Sequence, residues 1–150
     1  MNELTGVVLQ QLLSQWLKTD IIKNFSLFEL FVKISKLTYV DDIIKNTFLG
    51  YDTMLEENGV NISGGQRQRI ILARALMKKS NILLIDEGLN EIDINLERKI
   101  LKNIFKYFKD KTIIIVSHRV DNLDLYDKVI KLKNGEIIDI SKRNRGEYIE

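Results

Sequence analysis

Apolar residues recur at helical spacing in three stretches of the chain. In the first stretch, four apolar side chains at i, i+3, i+4 and i+7 share one face of a helix. They are Leu27, Leu30, Phe31 and Ile34. A shorter stripe follows at Val40, Ile43 and Ile44, and a third stretch repeats every four residues at Leu96, Ile100, Ile104 and Phe108. This pattern predicts two helices within residues 26–46 and a longer helix that begins after Asp93, whose side chain is placed to cap it.

Other stretches have the character of strands. Residues 82–85 and 112–116 are continuous apolar runs, which are typical of buried parallel strands in α/β sheets. Residues 4–9 form a short β-branched run that predicts a strand, whereas residues 50–59 predict a loop. Residues 129–140 contain Asn134-Gly135, the strongest two-residue hairpin turn signal, and therefore predict a hairpin.

The stretch Ser63-Gly64-Gly65-Gln66 opens directly onto a helix-forming run that is expected to continue to Lys79. Ser63 followed three residues later by Gln66 matches a capping box. The two glycines remove side chains where a ligand's oxygens would approach the backbone, and a helix start with free amides favours an anion. The residues alone leave two interpretations open: a phosphate-binding helix start, or an ordinary capped helix after a glycine-rich turn.

Ionisable side chains follow each of the two apolar strands. Asp86 emerges at a strand end, where Mg²⁺ sits in P-loop enzymes, and Glu87 is placed to polarise an attacking water as a general base. His118, the only histidine, follows the second strand. Taken alone, the two acids could instead cap the next helix, and a lone histidine could be structural.

In this order, the motifs resemble the ATP-binding domain of ABC transporters of the exporter type. Ser63 to Gln66 resemble the signature motif, Asp86 and Glu87 resemble Walker B with its following glutamate, and His118 resembles the switch histidine. Further matches complete the list: Gln10 resembles the Q-loop glutamine, with Gln11 as the alternative if the register differs by one, and Asp93 resembles the end of the D-loop. The fold implied is α/β, a partial P-loop NTPase (RecA-like) core with mainly parallel strands plus the ABC helical subdomain.

The resemblance also implies a mechanism and its cofactors, ATP and Mg²⁺. In ABC ATPases two domains sandwich two ATP molecules, each held by one subunit's P-loop and the other subunit's signature. Asp86 would then hold Mg²⁺ through water, and Gln10 would sense Mg²⁺ and the attacking water. Glu87 would be the base, and His118 would stabilise charge on the transferring phosphoryl group. The implied partners are a second ATP-binding domain and the transmembrane domains of an exporter, at the cytoplasmic face of the cell membrane.

Two features depart from the family pattern. The 150 residues contain no G-x-x-x-x-G-K-[ST] phosphate loop, since Gly59 and Gly64 have the glycine spacing but Gly65 and Gln66 follow. The resemblance therefore covers only the later part of the domain. In the D-loop, Glu91 replaces a small residue, which puts close dimer packing at this loop in question. Without the strand that precedes a P-loop, the isolated chain is predicted to be marginally stable or to self-associate.

Composition narrows the function classes. With 23 basic and 21 acidic residues the net charge is only +2, which gives no electrostatic case for nucleic acid as a partner. There are no cysteines, hence no disulfides, and no apolar run reaches the roughly 18–20 residues that a membrane span requires. The abundance of Lys, Asn and Ile points to an AT-rich, bacterial source.

The expected organisation is a strand and Q-loop over about residues 1–20, a helical subdomain with the signature helix over about 21–79, a core over about 80–140 and a tail over 141–150. Three hypotheses about function follow. The first is part of an ABC exporter ATPase, active when a P-loop completes it. The second is a truncated, non-enzymatic remnant or interaction module. The third is another signature-bearing ATPase, such as a DNA-repair or chromosome-structure protein; long coiled-coil heptads would support it, and the sequence contains none.

Overall fold

The computed structural model contains both helices and strands and describes residues 7–8, 25–50, 54–55 and 62–142. The elements in chain order are β1 (Val7–Val8), α1 (Phe25–Leu37), α2 (Val40–Lys45), β2 (Met54–Leu55), α3 (Gly64–Leu76), β3 (Ile82–Asp86), α4 (Ile94–Tyr107), β4 (Thr112–Val116), β5 (Lys128–Lys133) and β6 (Glu136–Lys142). Residues 1–117 and 118–150 form two compact units. The predicted α/β class is confirmed.

The core of the first unit lies among its helices. Helix α1 contacts α2, α3 and α4, and α2 also contacts α3. The predicted stripes supply the buried side chains of this core: Phe31, Ile34, Val40, Ile43, Ile44, Ile100 and Ile104. Two buried hydroxyls are satisfied within α1 and its end, because Ser35 Oγ donates to Phe31 O at 2.8 Å and Thr38 Oγ1 donates to Ile34 O at 2.9 Å. The apolar spacing therefore identified the helix faces that pack.

Strands β3 and β4 pair in parallel, with Ile82 opposite Thr112 and Asp86 opposite Val116. Their expected burial on both faces is wrong. Four apolar side chains on the face shared by the even-numbered positions are exposed: Ile82, Leu84, Ile114 and Val116, at 49–64% of their full accessible area. A parallel strand is buried on both faces only when helices cover both. Within the described ranges only the other face, that of Ile85, is covered.

A second small pairing joins β1 and β2. The two strands are antiparallel, with Val7 opposite Leu55 and Val8 opposite Met54. The strand predicted in residues 4–9 is thus present at Val7–Val8, but the prediction of a loop throughout residues 50–59 is wrong at Met54–Leu55. Pairing with a distant strand gives this segment backbone partners that its own sequence does not specify.

The second unit contains the predicted hairpin. Strands β5 and β6 are antiparallel, and Asn134 (φ 52°) and Gly135 (φ 81°) form the turn, as a two-residue turn with two positive φ angles requires. The register shifts between Lys131 and Leu132, so one residue of β6 is unpaired there. In neither unit does a helix of the described residues have both the length and the apolar character needed to cross a bilayer.

Candidate functional site

The N-terminus of α3 is built by the predicted capping box. Ser63 is extended (φ −67°, ψ 157°), its Oγ accepts from Gln66 N at 3.2 Å, and its own N–H donates to Gln66 Oε1 at 2.8 Å. The first helical bond runs from Arg67 N to Ser63 O at 2.9 Å. The helix ends at Leu76 rather than at the expected Lys79. Met77 N still donates to Ala73 O at 3.1 Å, but Lys78 N donates to Ala75 O at 3.2 Å, a tighter three-residue step that closes the last turn. The cap leaves the amides of Gly64 and Gly65 without acceptors inside the helix.

The segment before α4 approaches Gly64 and Gly65 so closely that a Cβ has no room at Gly65, and has room at Gly64 only if the Glu91 carboxylate moves. A Cβ on Gly64 would lie 1.5 Å from Glu91 Oε2, and a Cβ on Gly65 would lie 2.7 Å from the backbone oxygen of Glu91. The space that these glycines leave open over the helix start is thus taken by oxygens of Glu91. The sequence analysis predicted that a ligand's oxygens would occupy this space. In the structure, oxygens of the chain itself occupy it.

The side chains of the first turn of α3 hold Glu91 in place. Gln68 Oε1 accepts from Glu91 N at 2.9 Å, and Arg67 Nη2 lies 3.5 Å from Glu91 Oε1. Arg67 therefore forms an ion pair within the chain, whereas Arg74, further along the same helix, is exposed. The start of α3 and residues 87–92 thus form one packed unit around Glu91.

Arg69 connects the same turn of α3 to the turn between α1 and α2. Its Nη1 donates to Tyr39 O at 2.9 Å, and its Nε donates to Gly65 O at 3.4 Å. Burial lowers the pKa of Arg69 from its ordinary value, and the negative charge of Asp42 acts in the opposite direction. Tyr39 is itself left-handed at φ 59°. The guanidinium thus joins the start of α3 to the turn that precedes α2.

At the end of β3, Asp86 and Glu87 are both exposed. Glu87 N donates to Val116 O at 3.0 Å, which extends the parallel ladder by one residue beyond Asp86. Glu87 then turns the chain with φ 49°, and its Oε2 accepts from Asn90 Nδ2 at 3.3 Å. A left-handed conformation costs a non-glycine residue roughly 1–2 kcal/mol, and strain of this kind concentrates at functional sites. The sequence carried no signal for this conformation.

Asp93 is the N-cap of α4, as predicted. Its Oδ1 accepts from Asn95 N at 3.0 Å and from Leu96 N at 3.1 Å. Leu89 and Ile92 are buried, and they anchor the segment that carries Glu91 between β3 and α4. Neither Asp86 nor Glu87 caps this helix, so the alternative interpretation of the two acids does not describe their geometry.

The remaining predicted site residues are Gln10 and His118. Gln10 and its alternative Gln11 fall outside the described residues. His118 is exposed and belongs to the second unit. For Mg²⁺, no group of three or more acidic or histidine side chains converges anywhere in the described ranges. A single exposed carboxylate such as Asp86 nevertheless suits Mg²⁺, which keeps most of its waters and takes one or two protein carboxylates.

Comparisons with known proteins agree on one family. The family model described as ABC transporter matches residues 3–90. The chain is 38% identical over 118 residues to the ATP-dependent lipid A-core flippase of Photobacterium profundum, which covers 79% of this chain and 20% of that protein. It is 36% identical over 143 residues to the alpha-hemolysin translocation ATP-binding protein HlyB of Escherichia coli, covering 91% of this chain and 20% of HlyB.

A solved structure shares the fold. The structure of a bacterial Atm1-family ABC exporter with ATP bound superposes with a TM-score of 0.76 at 26% identity, and the match covers 93% of this chain and 23% of that one. The chain thus spans about a fifth of the length of the relatives that it matches.

Proposed function

Because the chain belongs to the ABC transporter family, we propose that it forms the signature-bearing part of an exporter's ATP-binding domain. It binds and hydrolyses ATP when a P-loop completes the site, and it couples hydrolysis to export. Its partners are a second ATP-binding domain and the exporter's transmembrane domains, at the cytoplasmic face of the membrane. The cargo is left open.

The observation that carries this proposal is the start of α3. The Ser63–Gln66 capping box gives the Gln66 amide an acceptor and fixes Ser63. The amides of Gly64 and Gly65, which lie between these two residues, have no acceptor within the helix. The positive end of the helix dipole points in the same direction. Such a helix start stabilises an anion without a charged side chain, which suits contact with a phosphate that another domain presents.

The strand β3 supplies the second part of the proposed chemistry. Asp86 is the residue that would hold Mg²⁺, and the metal would supply neutralisation of charge on the phosphates. Glu87 takes the proton of the attacking water. Its left-handed backbone turns its carboxylate out of the strand ladder, and Asn90 orients one oxygen. His118 and Gln10 keep their family roles in this proposal: charge stabilisation for the first, and sensing of Mg²⁺ and water for the second.

A chimera tests the proposal. Residues 1–150 would replace the matching segment of HlyB from Escherichia coli, so that the rest of HlyB completes the protein. The chimera is expected to hydrolyse Mg-ATP, and Glu87→Gln is expected to reduce turnover by about 10²–10⁴-fold because general-base catalysis is lost. ATP binding, measured with a fluorescent analogue, is expected to persist. Glu136→Gln makes the same chemical change at an exposed hairpin position and serves as the matched control.

The outcomes separate the two candidate functions. Turnover that survives Glu87→Gln would remove Glu87 as the base. A chimera that folds and binds ATP but never hydrolyses it would favour the alternative, a non-enzymatic interaction module.

A further inference from the structure

Glu91 contacts the start of α3 with both its backbone and its side chain. Its N–H donates to Gln68 Oε1 at 2.9 Å, and its carbonyl oxygen lies so close to Gly65 that a Cβ there would be 2.7 Å away. Its carboxylate lies against Gly64 and beside Arg67. The backbone contacts fix where Glu91 is, and the side-chain contacts decide what lies over Gly64.

We propose that the Glu91 carboxylate is an internal occupant of the anion position at the start of α3. It must swing away before a phosphate oxygen can lie over Gly64, so Glu91 sets how readily Ser63 to Gln66 engage a phosphate. This inference rests on the proposed function, in which that stretch contacts a nucleotide phosphate. Glu91 is in this sense a positioning residue, since it acts through the glycines rather than on the reacting atoms.

Two physical reasons make the carboxylate and a phosphate exclude each other. The first is space: a Cβ at Gly64 would meet Oε2 at 1.5 Å, so no second oxygen fits there while Glu91 stays. The second is charge: both groups are anionic, and both are attracted by the same helix end and by Arg67. An occupant that mimics the charge of a ligand competes with it directly.

The hold on the carboxylate is weak enough to be reversible. Arg67 and Glu91 are 43% and 51% exposed, and ion pairs at such exposure contribute little to stability. The backbone hydrogen bond to Gln68 does not depend on the carboxylate. The side chain can therefore rotate outward while residues 87–92 remain packed against α3.

Phosphate titration of the 150-residue chain tests the inference. Inorganic tripolyphosphate would be added at constant ionic strength, and the amide signals of Gly64 and Gly65 would be followed by ¹H–¹⁵N NMR. Glu91→Ala is expected to lower the dissociation constant about two- to fivefold, the effect of one charge at a helix end. Glu91→Gln, which keeps the shape but loses the charge, is expected to lie between Glu91→Ala and the unmodified chain.

The matched control is Asp110→Asn, which removes one negative charge from an exposed position. Asp110 adjoins Lys111, whose Nζ donates to Lys78 O, just beyond the opposite end of α3. Its dissociation constant is expected to equal that of the unmodified chain. Cooperative thermal melting of each variant would verify that the chain is folded.

The same variants in the HlyB chimera give a second readout. Glu91→Ala is expected to lower the KM for ATP with little change in kcat, whereas a purely structural role would lower kcat and thermal stability. Equal dissociation constants for the unmodified chain and Glu91→Ala would overturn the inference and leave the proposed function standing. No response of Gly64 and Gly65 in any variant would overturn both.

Discussion

The helices of the first unit and its parallel strand pair are both rich in aliphatic residues, yet they are buried to very different extents. Ile100, Leu101 and Ile104 of α4 are fully enclosed at 0% exposure. Ile114, an identical side chain on β4, keeps 49% of its surface exposed. The difference shows that an apolar pattern states which surface needs covering, but the covering itself depends on which elements are present.

The two regions also differ in how their backbones are tied to the rest of the unit. Around α3, hydrogen bonds and ion pairs reach residues far along the chain, from Gln68 to Glu91 and from Arg69 to Tyr39. Strand β4 pairs with β3, and within the described ranges no other strand pairs with it. Substitutions among the packed helices should therefore lower stability as substitutions in a protein core do. Substitutions on the exposed, even-numbered face of β3 and β4, called the open face below, should have the small effects that are typical of a surface.

The largest expected effect separates two isoleucines. Ile104→Ala should lower the free energy of unfolding by about 2–5 kcal/mol, because it leaves a cavity in a fully enclosed site. Ile114→Ala should cost less than about 1 kcal/mol, since half of that side chain is already in water. Urea denaturation of both variants beside the unmodified chain measures the two values.

Equal losses in the free energy of unfolding for the two variants would contradict the difference in burial between the helices and the strand pair. That result would mean that the face of Ile114 is covered in solution, and dilution of the sample would then show whether the cover is another copy of the chain. A concentration-dependent unfolding midpoint identifies association.

The second prediction compares the two glycines at the start of α3. Gly65→Ala should destabilise the chain by about 1–3 kcal/mol, because the new Cβ would overlap the Glu91 backbone, which is anchored by buried neighbours. Gly64→Ala should change stability by less than about 0.5 kcal/mol, since only a rotatable carboxylate must move. Thermal melting of the two variants is the measurement. If Gly64→Ala were the costlier change, the carboxylate of Glu91 would be held more firmly than its exposure indicates.

Local features of the fold were predictable from the sequence. The caps at Ser63 and Asp93 and the Asn134-Gly135 turn join residues two or three positions apart, so their chemistry is present in a short stretch of sequence. Helix faces follow from periodicity for the same reason. What was missed involves long separations: the β1–β2 pairing and the bond from Arg69 to Tyr39, which spans 30 residues. No local pattern encodes such partners.

In the candidate site, too, local features could be predicted from the sequence and contacts between distant residues could not. The residue types at Ser63 to Gln66 and at Asp86 and Glu87 by themselves indicate phosphate and metal chemistry. The left-handed backbone of Glu87 and the placement of Glu91 over Gly64 did not follow from them. The only signal for the latter was the glutamate itself, which stands where the family has a small residue. The residue that departs from the family pattern is thus the one that supplies the contact with Gly64.

The smallest expected effect on stability lies on the open face. Leu84→Lys should change the free energy of unfolding by less than about 0.5 kcal/mol, because Leu84 is exposed in the unit as it stands. Its effect on association should be larger. The unmodified chain is predicted to self-associate through the apolar face that the described residues leave exposed and through the edge of β4 that no described strand pairs with. A lysine on that face would place a charge in the contact. Sedimentation velocity should show a shift toward monomer for Leu84→Lys.

Ile71→Lys provides the matched control for this last comparison. Ile71 is also an exposed aliphatic residue, but it belongs to α3 and not to the paired strands. If association depends on the open sheet face, Ile71→Lys should sediment like the unmodified chain. An unmodified chain that is a monodisperse monomer at high concentration and melts sharply would contradict the prediction. In that case the exposed apolar face of β3 and β4 would remain in contact with solvent without driving association. The two regions would then differ only in how tightly their side chains are packed.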